Sequence, residues 1–313
     1  MLAIGILLAL TLSGCGSITE AARTARQPDG GKPTIVVTHA LIAAEVVDLV
    51  GEKAAVEVLI PNGSDPHEWS PSAKDIERLM RADFVVRNGL GMEAQLGSAL
   101  NRAADEGIPI FTVADHVNVR SAEHQADEAA HVGEAAHAGE GSEGSEGKDP
   151  HLWMDPLTVK QFIKPLAQQL LSVGVDATSE VSRVEAALDA INVEAAELLN
   201  SVPPQRRRLV SGHESLGYFA DRYGYSIVGT VIPSFSTQAE ASAGALAELV
   251  AIVKQEQVPA VFTELGTPAA TVQAIANDTG TLVVVIATHL LPADGSYRRF
   301  IIDIATAIAV ALR

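Results

Sequence analysis

The sequence predicts an α/β protein of two lobes, each a parallel-rich sheet flanked by helices, joined by a long α-helix with a cleft between the lobes. Three observations predict it. Short β-branched runs alternate with helical patterns from Thr34 onward; the alternation then gives way to a stretch that reads only as helix; and it resumes to the C-terminus. Strand-helix alternation argues for parallel pairing, because a parallel crossover needs roughly the length of a helix. At 313 residues, 47% of them hydrophobic, the chain is long enough for two lobes with a sizeable core.

The elements follow in order. TIVVT (34–38), AVEVLI (55–60), DFVVRNG (83–89) and IPIFTVA (108–114) read as strands, with helices over 41–50, 72–81 and 92–104 between them. The second helix opens on the capping-box pattern Ser72-Ala73-Lys74-Asp75. A polar stretch over 116–149 separates this lobe from helices over 158–172 and 180–200. In the latter, Val181, Val184, Leu188, Ile191, Ala195 and Leu198 fall at helical spacing, a stripe made for burial. This helix is the expected bridge, and Pro203-Pro204 ends it. RRLVSG (207–212), SIVGTVI (226–232), AVFTE (260–264) and LVVVIAT (282–288) then alternate with helices over 214–223, 238–255 and 268–278 and a last one from about Ser296. The expected divisions are a first lobe over 34–156, a helical bridge over 157–202 and a second lobe over 203–313. GLGMEAQLG (89–97) resembles a nucleotide-binding loop only loosely and lacks its downstream acidic partner.

Ahead of the first lobe, residues 1–12 are almost wholly apolar, too short to span a bilayer but suited to a signal peptide. No Lys or Arg precedes the run, a departure from the usual pattern. Leu12-Ser13-Gly14-Cys15 looks like a bacterial lipobox, so the chain is expected outside the cytoplasmic membrane, at the cell surface or in the periplasm, anchored by lipid on Cys15. Residues 16–33 read as a flexible tether. With one cysteine, an intramolecular disulfide and a multi-cysteine zinc site are excluded. The net charge of -17 argues against nucleic acid, whose phosphates require clustered Lys and Arg, and makes cations the natural ligands.

The nine histidines fall into groups. His116, His124, His131 and His137 belong to the polar stretch or its edge, where HVGEAAHAGEGSEGSEGKDPH (131–151) is too rich in Gly and Glu to pack. His67, His151, His213 and His289 instead follow apolar strands or precede helices. Open parallel sheets bind ligands beyond the carboxyl ends of their strands, so these four can converge on one cleft, and convergent imidazoles point to a metal. His39 ends TIVVT and is expected to line the cleft or to hydrogen-bond a ligand. Glu264, after AVFT, is placed to coordinate or to be such a partner, since a carboxylate buried there without a cation is costly.

PNGSDPHEWSPSAKDIERLMRADFVVRNGLGME, DPHLWMDP, SGHESLGYFADRYGY and AVFTEL together resemble the metal-binding proteins of zinc and manganese ABC importers, the cluster A-I or ZnuA/TroA-like family, over nearly the whole chain from Thr34. The resemblance implies two α/β lobes bridged by a rigid helix, one metal between them, and a non-enzymatic, monomeric protein that delivers its metal to a membrane permease. It implies His67, His151 and His213 as ligands. The family's usual fourth ligand is an aspartate, and here ATHLLPADGSY puts His289 in its place, leaving His289 or Glu264 as the fourth. Nitrogen-rich tetrahedral sites suit zinc and oxygen-rich ones manganese, so zinc is the expected metal and manganese the alternative. The His/Glu stretch resembles loops of zinc-specific members that gather the ion. Two rivals are a zinc hydrolase with Glu264 or Glu214 as general base, which lacks a His-Glu-x-x-His helix, and an adhesin or metallochaperone.

Overall fold

A computed structural model describes residues 31–121 and 147–313. Cys15, His124, His131 and His137 lie outside the described residues, as does the expected signal peptide.

The first sheet contains β1 (Thr34–His39), β2 (Ala55–Ile60), β3 (Phe84–Arg87) and β4 (Ile110–Thr112), all parallel, in the order β2-β1-β3-β4. The second contains β5 (Arg208–Ser211), β6 (Ser226–Thr230), β7 (Ala260–Thr263) and β8 (Leu282–Val285), also parallel, in the order β6-β5-β7-β8. The same topology thus occurs twice. In both sheets the winding reverses between the two central strands, where chain connections diverge and leave a crevice.

Helices α1 (Ala40–Val50), α2 (Ala73–Arg81) and α3 (Gly97–Asp105) serve the first sheet, and α6 (Gly217–Tyr223), α7 (Ala243–Gln255) and α8 (Ala269–Thr279) the second. Between the sheets in sequence come α4 (Pro156–Leu170) and α5 (Val181–Leu199), and the chain closes with α9 (Tyr297–Leu312). The expected bridge is α5, 19 residues long, roughly 28 Å at 1.5 Å per residue. It packs along both α4 and α9, so the C-terminal helix, assigned by sequence to the second lobe, lines the bridge.

Strand sequences explain the layering. Ile35 and Val37 on β1 and Phe84 and Val86 on β3 face a core that runs through α4, α5 and α9 to Leu209 and Phe262 of the second sheet. The alternate residues point the other way: Val36 and Val85 pack with Leu79 and Leu100 of α2 and α3, while Val210 and Val261 pack with Leu249, Val253 and Ile275 of α7 and α8. Strands buried on both faces read as continuous apolar runs, as parallel strands do.

Several boundaries move for identifiable reasons. The Ser72 box forms with both reciprocal bonds, a cap of about 1 kcal/mol. The helix expected from 238 begins at Ala243, where the Ser242 side chain caps it. The helix expected from 214 begins at Gly217, because residues 213–216 are drawn toward the crevice by bonds from the Glu214 N–H to the Ser234 carbonyl and the Ser215 N–H to the His213 carbonyl. His116, placed by sequence with the polar stretch, stacks on Phe111 with ring centroids 4.3 Å apart and belongs to the folded lobe. The stretch is pinched at its base by the antiparallel bridge between Ser121 and Lys148.

Candidate metal centre

Four loops bring four histidines together. His67 sits in the turn after β2, His151 at the start of the short helix before α4, His213 two residues past β5, and His289 four past β8. Their ring centroids are separated by 5.6 Å (His67–His151), 5.7 Å (His67–His213), 5.8 Å (His67–His289), 5.0 Å (His151–His213), 5.8 Å (His151–His289) and 5.5 Å (His213–His289). Six nearly equal separations among four points define a tetrahedron. One potential ligand atom from each residue lies within 4.8 Å of the others.

Each loop is shaped by a nearby oxygen. Asp65-Pro66-His67 and Asp149-Pro150-His151 repeat one motif, and in both the aspartate Oδ1 accepts the histidine backbone N–H, at 2.9 and 3.0 Å. This is the Asx turn, in which a short carboxylate imitates a backbone turn. The copies then diverge. Asp149 Oδ1 also accepts the His151 Nδ1–H at 2.8 Å, whereas Asp65 Oδ2 accepts the Thr237 hydroxyl at 2.6 Å, across to the second lobe.

Glu264 organises the other pair. Its Oε1 accepts both the backbone N–H and the Nδ1–H of His213, at 3.1 and 2.9 Å. Ser215 donates its hydroxyl to Oε2 at 2.7 Å, and the Thr288 hydroxyl donates to the same oxygen in a short bond. Thr288 Oγ1 in turn lies 3.1 Å from His289 Nδ1, which donates to it. Glu264 therefore orients His213 directly and His289 through one hydroxyl, fixing the tautomers that leave Nε2 lone pairs for a ligand. Gly212 makes this approach possible, since a Cβ there would stand 2.0 Å from Thr267 Oγ1.

The electrostatics follow. Burial, reinforced by neighbouring imidazoles, lowers His67 to about 4 and holds His151 and His289 well below the usual imidazole range. Burial also pulls His213 down, but the Glu264 carboxylate more than offsets this and its net shift is upward. Burial alone would raise Glu264; the charge and hydrogen bond of His213 prevail and bring it to about 2. In the metal-free cluster a proton is thus held preferentially on His213, against Glu264, rather than on the other three imidazoles. The Nε2 atoms of His67 and His289 are buried without a hydrogen-bond partner, a costly condition that a cation would relieve.

Among the described residues the convergent set is His67, His151, His213 and His289. Both oxygens of Glu264 are engaged behind the rings. His39 is buried at the end of β1 and meets Trp153 edge-on at 4.7 Å, while the Trp153 indole N–H donates to the Thr288 carbonyl at 2.9 Å. Glu214, half-buried beside this cluster, is raised by burial and by Asp149. Asp65, Asp149, Ser215 and Thr288 were not singled out from sequence; the repeated Asp-Pro-His was the available signal for the first two.

The family model for the zinc-uptake complex component A, periplasmic, matches residues 35–311. The zinc-binding protein TroA of Treponema pallidum is 29% identical over 257 residues, covering 78% of this chain and 74% of TroA. The manganese-binding lipoprotein MntA of Halalkalibacterium halodurans is 26% identical over 280 residues, covering 88% and 84%. Among solved structures, the periplasmic zinc-binding TroA of T. pallidum superposes with a TM-score of 0.74 at 24% identity, covering 90% of this chain and 99% of TroA.

Proposed function

The chain belongs to the ZnuA family of periplasmic zinc-uptake components, and from that premise we propose that it captures a divalent metal, zinc in preference to manganese, and delivers it to the permease of an ABC importer. The observation that carries the metal is the near-regular tetrahedron of His67, His151, His213 and His289. Zinc takes four nitrogen donors in this arrangement, at about 2.0–2.1 Å each, whereas manganese favours oxygen donors and more of them. Relatives with zinc and with manganese in their names match the chain, so the preference for zinc rests on the donor set.

In this reading zinc is cargo. The four imidazoles grip it, and Glu264 and Asp149 stand behind two of them to offset its charge. Ligands come from both lobes, so the bound ion ties the lobes together, and the closed form is the one a permease docks. Relatives are named as lipoproteins, which supports an extracytoplasmic chain held to the membrane by lipid on Cys15; it acts as a monomer in this reading. The acidic His-rich stretch with His124, His131 and His137 serves as a weak gathering site, with its base at Lys148, three residues before His151. Metal analysis of the purified protein and competitive titration with zinc and manganese test the proposal. One zinc per chain, bound at least a hundredfold more tightly than manganese, supports it; equal affinity or manganese preference overturns the assignment of zinc.

A further inference from the structure

Away from the histidines, α1, α5 and the loop from Leu291 into α9 line a half-open cavity of about 730 Å3, within the range of small-molecule sites. Ala43 and Ala44 of α1 and Ala187 and Ala190 of α5 give it a small, apolar wall. Glu45 lines it too, 4% exposed. The other buried carboxylates, Asp65, Glu93, Asp149, Asp155 and Glu264, all accept hydrogen bonds. Glu45 accepts none among the described residues; the neighbours that act on it, Asp48 and Arg183, act through charge alone. Its carboxyl oxygens are not fully buried and open onto the cavity, where a ligand can supply the partner the protein does not.

The charges around the cavity point to a cation. Asp48, one turn along α1, is exposed on the same wall. The basic groups nearby are engaged: Arg183 with Glu180 at 3.0 Å and with the Asp48 carbonyl, and Arg298 with Glu194. On the far wall Asp294 is 3.5 Å from Arg299, and the Tyr297 hydroxyl donates to the Trp153 carbonyl. Glu45 and Asp48 remain as two carboxyl groups that no basic side chain bonds among the described residues. We infer that this cavity is a second ligand site, distinct from the metal cluster, for a small organic cation: an alkylammonium whose head group lies between Glu45 and Asp48 and whose apolar body rests on the alanine wall.

Burial, with a smaller push from Asp48, raises Glu45 to about 8, so at neutral pH the empty cavity holds a protonated Glu45. An entering ammonium ionises it and releases a proton, and affinity therefore rises between pH 7 and pH 8. The ligand would touch both lobes, since the cavity is also lined by Asn62 and Leu291, which are joined by two hydrogen bonds of 3.0 and 2.8 Å.

The test is an NMR titration of the zinc-loaded full chain with n-hexylammonium, n-butylammonium and butyrate, repeated on Glu45→Gln and on Ala190→Phe, which fills the cavity and leaves Glu45 in place. Saturable shifts confined to α1, α5 and the start of α9, hexylammonium tighter than butylammonium, no response to butyrate and at least tenfold weaker binding in both variants support the site. Absence of saturable amine binding, equal binding of butyrate, or undiminished binding in either folded variant overturns it. Zinc titration of the metal-free chain reads the histidine cluster separately, and the amine titration is repeated on that metal-free chain so that the outcome at the histidines leaves this test standing.

Discussion

The Nε2 atoms of His151 and His213 stand 3.1 Å apart. A hydrogen bond between them requires one proton, and a shared metal requires that proton to leave. With the His151 Nδ1–H donated to Asp149 and His213 drawn upward by Glu264, the proton resides on His213 in the metal-free protein. Binding is therefore an exchange of one ion for a small, definable number of protons.

That number sets the pH dependence of affinity. His67 is lowered to about 4, and His151 and His289 lie well below their usual range, so near neutral pH they hold no proton for a metal to displace. His213, shifted up, and Asp149, raised by burial to about 7, do hold one. Affinity for zinc is expected to fall as pH drops from 7 to 5, with a slope approaching two decades per pH unit, against about four for four ordinary imidazoles. Competitive titrations at half-unit steps measure it, and a slope above three in that window contradicts the protonation pattern.

Glu264→Gln keeps the shape of the side chain and removes its charge. His213 loses the anion that raises it, while Ser215 and Thr288 keep an acceptor at that site. Zinc affinity is expected to fall about 10–100-fold, as for other groups that orient a metal ligand, and the pH slope to drop by about one. A complete loss of binding with the fold intact would instead assign Glu264 to direct coordination.

Gly266 tests the link between lobes. It has φ +85°, and a Cβ there would lie 2.6 Å from Asp65 Oδ2 and 2.7 Å from the Thr237 methyl, the two groups whose hydrogen bond joins the His67 turn to the second lobe. Gly266→Ala is expected to destabilise the metal-free chain by about 1–3 kcal/mol and to weaken zinc binding as well. Chemical denaturation and zinc titration of the variant measure both effects.

Removing residues 122–146, between the pinned Ser121–Lys148 base, is expected to leave cleft affinity within about threefold, because Arg120 and Asp149 hold that base from the folded side: the Asp149 N–H donates to the Arg120 carbonyl and the Arg120 N–H to the Tyr218 hydroxyl. Total zinc bound at millimolar concentration should fall to one ion per chain. Stoichiometry by metal analysis distinguishes this from a structural requirement for the stretch.

The sequence carried the strands well, because parallel strands buried on both faces are written as apolar runs such as Ile35-Val36-Val37 and Phe84-Val85-Val86. It carried the positions of His67, His151, His213 and His289, since each follows a strand or opens a helix. It also carried Glu264 as a ligand or a ligand's partner, but not which histidine it holds, and it did not single out Asp65 or Asp149. Glu264 reaches His213 across 51 residues and Asp65 reaches Thr237 across 172, and contacts so distant in sequence leave no local pattern. Helix starts failed where side-chain or backbone bonds at the crevice diverted the chain, as at residues 213–216.

X-ray absorption spectroscopy of the zinc-loaded chain, alongside Glu264→Gln, tests the four-imidazole centre most directly. A single shell of four nitrogen scatterers at about 2.0–2.1 Å with imidazole multiple scattering is expected, unchanged in shell composition by the Glu264 substitution. A carboxylate oxygen in that shell that disappears in Glu264→Gln, or fewer than four imidazoles in the unsubstituted protein, would contradict it.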